Sequence, residues 1–71
     1  MQTSKFNSRL AQVLAERELS QRDLANALGV SDAAVSRWVK GERLPSLGMA
    51  LLISQKLRVP VAQLWNFGGG E

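Results

Sequence analysis

The sequence predicts an all-α domain of five short helices around one core. Apolar residues recur at the spacing of a single helix face. Serines stand where helices would begin, at Ser20, Ser31 and Ser46, and glycines where two would end, at Gly29 and Gly41. With 71 residues the chain makes one domain with an economical core.

The first helix is expected over residues 5–17, capped by Ser4, with Phe6, Leu10, Val13 and Leu14 on one apolar face. The second is expected over residues 21–28. Ser20 is its N-cap, and Asp23 three residues on completes a capping-box pattern. Leu24, Ala25 and Leu28 form its inward face, and Gly29 stops it in the left-handed conformation that glycine enters without steric cost. Val30 turns inward. Ser31 caps a third helix over residues 32–40, with Asp32 in its positively polarised first turn and Gly41 after its end. Val35 and Trp38, three apart, anchor this helix to the core.

Ser46 caps a fourth helix to residue 57, expected to pack through Leu47, Ala50, Leu51, Ile53, Ser54 and Leu57. Pro60 favours a fresh helical start, and residues 61–65 read as a short fifth helix. Residues 1–67 then form the domain, and residues 68–71 a flexible glycine-rich tail.

Composition removes several function classes. There is no cysteine and no histidine, so a disulfide framework, a zinc finger, a thiol nucleophile and histidine acid–base chemistry are excluded. The carboxylates suggest no metal cluster or catalytic pair, and the expectation is a protein without enzymatic activity or cofactor. Nine basic and six acidic residues leave a net charge of +3, which suits a polyanionic partner. Arg37, Lys40 and Arg43 cluster at and beyond the end of the third helix, opposed by Glu42 alone. The longest apolar run is too short to span a bilayer, and the start of the chain lacks a signal-peptide pattern, so a cytoplasmic protein is expected.

The pair of helices about Gly29 has the form that groove reading requires. Small Ala25 and Gly29 would let the two helices approach closely, and Leu24, Leu28, Val30, Val35 and Trp38 would fix the third rigidly. If Val35 and Trp38 face inward, Asp32, Ala33, Ser36, Arg37 and Lys40 face outward. Arg37 offers a bidentate fork to guanine, Asp32 an acceptor for cytosine, Ser36 a versatile hydroxyl, and Ala33 a methyl for thymine. Gln21 and Arg22 at the head of the second helix, and Ser31, Lys40 and Arg43 around the third, are the expected phosphate contacts. The phase that Trp38 shares with Val35 favours a core role over stacking on a base.

The run L-S-Q-R-D-L-A-N-A-L-G-V-S-D-A-A-V-S-R-W-V-K-G-E-R-L-P-S closely resembles the Cro and phage-repressor (Xre-like, lambda repressor-like) helix-turn-helix domain. The likeness covers roughly residues 6–65 and continues through Leu51, Ile53, Leu57, Val59 and Leu64. It implies a five-helix, sequence-specific DNA-binding protein, usually a homodimer on a palindromic operator. Phage repressors, controller proteins of restriction systems and antitoxins are all members. The family places a phosphate-binding glutamine at Gln21 and base-reading side chains at Asp32, Ala33, Ser36 and Arg37. Glutamines are common at the first two of those four positions, where this chain has Asp32 and Ala33, so its operator does not follow from that of a better-known member. Arg58 stands where the fourth helix often ends in glycine, and Pro60 replaces the usual polar cap.

Two surfaces qualify for self-association, and they are not exclusive. One is Met49 with Leu52, off the inward stripe of the fourth helix; the other is Trp65 with Phe67, which a small core does not obviously absorb. RNA polymerase or a regulatory protein is a further candidate partner. The alternative to a DNA-binding repressor is a protein-interaction module or antitoxin on the same fold. The chain is either a whole short regulator or the front end of a longer repressor.

Overall fold

The computed structural model describes residues 6–67. A two-residue strand, β1 (Asn7–Ser8), leads into α1 (Leu10–Glu16), α2 (Gln21–Leu28), α3 (Asp32–Lys40), α4 (Leu47–Leu57) and α5 (Val61–Leu64), and β2 (Trp65–Asn66) closes the order. The three helices with a serine signal begin where the sequence predicts. Ser20, Ser31 and Ser46 accept from the amides of Asp23, Ala34 and Met49, each satisfying an otherwise orphaned donor of a first turn. At Ser20 the box is complete, because the Asp23 carboxylate accepts from the Ser20 amide at 2.9 Å. The Ser20 amide, then the Ser20 hydroxyl, hold the Asp23 carboxyl below its usual value.

The ends of the chain depart from expectation. Helix α1 begins at Leu10, and its proposed cap Ser4, with Lys5, lies outside the described residues, as does the glycine-rich tail at 68–71. Residues 7–8 run antiparallel to residues 65–66, pairing Asn7 with Asn66 and Ser8 with Trp65. The Arg9 amide donates to the Leu64 carbonyl at 2.8 Å, so the head of α1 is capped by distant backbone. Phe6 reaches the core from this extended segment, although its four-residue spacing from Leu10 mimics a helix face. Helix α5 likewise stops at Leu64, and Trp65 is extended.

The core gathers Leu10, Val13 and Leu14 of α1, Leu24 and Ala25 of α2, Val35 and Trp38 of α3, Ala50, Ile53 and Leu57 of α4, and Leu64 with Trp65. Two expected core residues are not in it. Leu47 and Leu51, four apart on one face of α4, are 74% and 55% exposed, because Ala50, Ile53 and Leu57 turn a neighbouring face, roughly 100° round the helix, inward. Ser54 is half-buried and donates to the Val59 carbonyl at 2.6 Å.

The end of α4 is held by arginines. Arg17, just past α1, donates through Nε to the Leu57 carbonyl at 2.8 Å, a charge-assisted bond at the negative helix end. Arg58 takes the left-handed cap position itself, at φ 59°. A side chain there costs roughly 1–2 kcal/mol that glycine avoids. Arg58→Gly is therefore expected to stabilise the domain by about 1 kcal/mol and raise its melting midpoint by about 4–8 °C. A thermal melt in which the midpoint stays put or falls would exclude strain at this cap.

Candidate nucleic-acid interface

The turn between α2 and α3 depends on one backbone angle. Gly29 sits at φ 72°, and the Val30 amide reaches back to the Ala25 carbonyl at 3.0 Å. A side chain at Gly29 would meet nothing within 4 Å. The glycine is thus required for its conformation and not, as its place at the helix crossing suggests, for close approach. Close packing falls to Ala25, which is fully buried beside Leu24, while Leu28 and Val30 pack against the core from half-buried positions.

Helix α3 is fixed along one side and at both ends. Val35 and Trp38 bury its inner face, and Ala34 packs beside them. At its foot the Trp38 carbonyl accepts from Ser8 Oγ at 2.7 Å, from the indole of Trp65 at 3.4 Å and from the Gly41 amide at 3.4 Å. The Arg37 carbonyl accepts from the amides of Glu42 and Arg43, which folds the following loop over the last turn. The terminal strands therefore hold the foot of the very helix that faces outward.

On the free side Asp32, Ala33, Arg37 and Lys40 are exposed, and Ser36 lies half-buried at the flank. This is the polar, positively ended face expected from the sequence. Gln21 and Arg22 stand exposed in the first turn of α2, Ser31 at the head of α3, and Arg43 in the loop beyond Gly41. Arg22 Nε lies 3.4 Å from Asp32 Oδ2, so the heads of α2 and α3 meet on one surface. Sequence reasoning treats these two residues separately. The available signal is an opposite charge at the head of each of two helices joined by a tight turn.

The candidate association surfaces need revision. Trp65, expected at a subunit surface, is only 6% exposed and packs inside its own domain. The space that accommodates it exists because residues 65–66 leave the helix and pair with residues 7–8. Phe67 is 71% exposed and Leu52 also faces solvent, whereas Met49 packs half-buried against the core. Leu44, Leu47 and Leu51 add exposed apolar surface that the sequence reading does not identify.

Comparison with known proteins gives a consistent picture. A family model described as helix-turn-helix matches residues 10–64. The chain is 33% identical over 60 residues to the HTH-type transcriptional activator BcrR of Enterococcus faecalis, covering 84% of this chain and 29% of that protein. It is 30% identical over 59 residues to the cryptic phage CTXphi transcriptional repressor RstR of Vibrio cholerae, covering 83% of this chain and 53% of the other. The chain thus spans between under a third and about half the length of these relatives. Among solved structures, a "putative DNA-binding protein" from Bacteroides fragilis superposes with a TM-score of 0.77 at 36% identity, over 86% of this chain and 98% of that one.

Proposed function

The chain belongs to the Cro/C1-type helix-turn-helix family, and from that premise we propose that it binds double-stranded DNA sequence-specifically as a transcriptional regulator. The observation that carries this reading is the outer face of α3, polar and exposed on a helix fixed along its other side and at both ends. Arg37, Ser36, Asp32 and Ala33 are its base-reading residues, and Gln21, Arg22, Ser31, Lys40 and Arg43 its phosphate contacts.

Repression is the favoured mode, because an occupied operator blocks polymerase without further chemistry. One relative is a repressor and another an activator, so both modes occur among similar proteins. With few phosphate contacts per domain, tight binding calls for two domains on adjacent turns of DNA, hence a homodimer on a palindromic operator. Phe67 and Leu52 are the exposed apolar residues nearest to that role. No helix among the described residues is long and apolar enough to cross a membrane, in keeping with action in the cytoplasm.

Selection of bound sites from random duplex DNA tests the whole reading. It should return an inverted repeat with half-site centres about 10–10.5 base pairs apart, or a multiple of that. A pool without any consensus would sink it. A protein-interaction module would use a surface other than α3, such as exposed Leu47 and Leu51 of α4, and would show no such preference.

Lys40 gives a separate handle on the phosphate contacts. Lys40→Ala should weaken binding to all sequences alike, and reduce the slope of log K against log salt by about 0.9 for each phosphate it no longer neutralises. A titration with an unchanged slope removes Lys40 from the interface.

A further inference from the structure

Opposite charges meet at the heads of α2 and α3. Arg22 Nε lies 3.4 Å from Asp32 Oδ2, with both side chains more than half exposed. An ion pair so open to water adds little to fold stability, so its main consequence is the charge presented by that surface. Asp32 is not the cap of its own helix. Ser31 fills that role by accepting from the Ala34 amide. Among the described residues the Asp32 carboxylate accepts from Arg22 alone, through Oδ2, which leaves Oδ1 open. Unpaired, that carboxylate would oppose the phosphates of an approaching duplex.

We infer that Arg22 is a positioning residue for base reading, holding and neutralising Asp32 so that its open oxygen accepts from an exocyclic amino group in the major groove. This rests on α3 being the base-reading helix, as proposed above. The chemistry specifies the preference. Cytosine N4 and adenine N6 donate, whereas guanine O6 and thymine O4 are acceptors that a carboxylate oxygen repels. The pair therefore reads amino against keto on one strand at one position of each half-site. Arg22 serves this reading through Asp32, in addition to any phosphate its remaining N–H groups reach.

The test uses the operator recovered by selection and duplexes carrying each of the four bases at every half-site position. Wild type, Arg22→Ala, Arg22→Lys, Asp32→Ala and the double variant Arg22→Ala/Asp32→Ala are compared. At one position the wild type should favour adenine or cytosine by roughly tenfold. Asp32→Ala should erase that preference, and Arg22→Ala should cut it several-fold at the same position alone, with partial rescue by Arg22→Lys. The double variant loses one charge of each sign and keeps the net +3. It should match Asp32→Ala at that position and retain every other preference. If Arg22→Ala weakens binding equally for all four bases, Arg22 is a phosphate contact only and the inference is overturned. It is equally overturned if Asp32→Ala alters no position. A wild type with no preference anywhere would overturn the DNA-reading assignment as well, an outcome distinguished by its flat profile before any substitution.

Discussion

Arg37→Ala is expected to abolish discrimination at one base pair of each half-site while leaving the helical spectrum intact. The side chain is exposed on the outer face of α3, and no ion pair or hydrogen bond ties it down among the described residues. What Arg37 does for the fold, it does through its backbone. Its carbonyl accepts from the Glu42 amide at 3.0 Å and the Arg43 amide at 3.4 Å, and truncating the side chain leaves both bonds in place. Alanine also has the highest helix propensity, so the last turn should not fray. The loss therefore falls on recognition. A bidentate arginine–guanine contact is worth about 1–3 kcal/mol, so preference at that base pair should drop by roughly 5- to 150-fold. Arg37→Lys separates charge from geometry, since it keeps the cation but lacks the planar fork. It should retain the salt dependence of binding and still lose the discrimination. Competition between the operator and single-base variants, alongside circular dichroism, measures both. Undiminished selectivity in Arg37→Ala would remove this residue from the reading face.

How far the sequence discloses this molecule depends on whether a feature is local. Helices α2 and α3 begin and end where their serines and glycines predict, and α4 begins after its serine, because a cap involves residues within one turn. The outer face of α3 is legible for a related reason. Val35 and Trp38 define its buried side, and the helical period then assigns the rest. Residues 7–8 and 65–66 are different. Each strand is too short to show an alternating pattern, and its partner lies at the other end of the chain. Phe6 even falls in phase with Leu10, which makes an extended segment look helical.

Helix α4 shows a second kind of ambiguity. It is apolar around most of its circumference, so Leu47 with Leu51 and Ala50 with Ile53 and Leu57 are both plausible inward stripes. Packing chose the second, and composition alone carries little information about that choice. At the site, each charge on α2 and α3 can be read from the sequence, but the pairing of Arg22 with Asp32 requires the turn geometry.

Trp65 combines the largest correction with a large expected effect. The sequence offers it as a candidate for a subunit surface, yet it is buried and its indole donates to the Trp38 carbonyl at 3.4 Å. Trp65→Ala removes a buried aromatic side chain and should cost about 3–5 kcal/mol. A domain of this size has about 4–11 kcal/mol in total, at roughly 0.05–0.15 kcal/mol per residue. Between roughly a quarter and all of the stability would go, and the melting midpoint should fall by more than about 10 °C. Trp65→Phe keeps most of the packing and loses a long hydrogen bond, so it should cost about 1 kcal/mol and leave the fold intact. Concentration separates this from a role between subunits. If Trp65 served only association, its alanine variant would remain a folded monomer, with helical content unchanged in sedimentation and melting experiments. A core role predicts lost helical signal and a lowered midpoint even at dilutions where the wild-type chain is monomeric. DNA binding should fail in parallel with the fold, because Trp65 and Ser8 together anchor the foot of α3. A Trp65→Ala protein that melts like the wild type would place this tryptophan outside the core, and with it the anchor proposed for the reading helix.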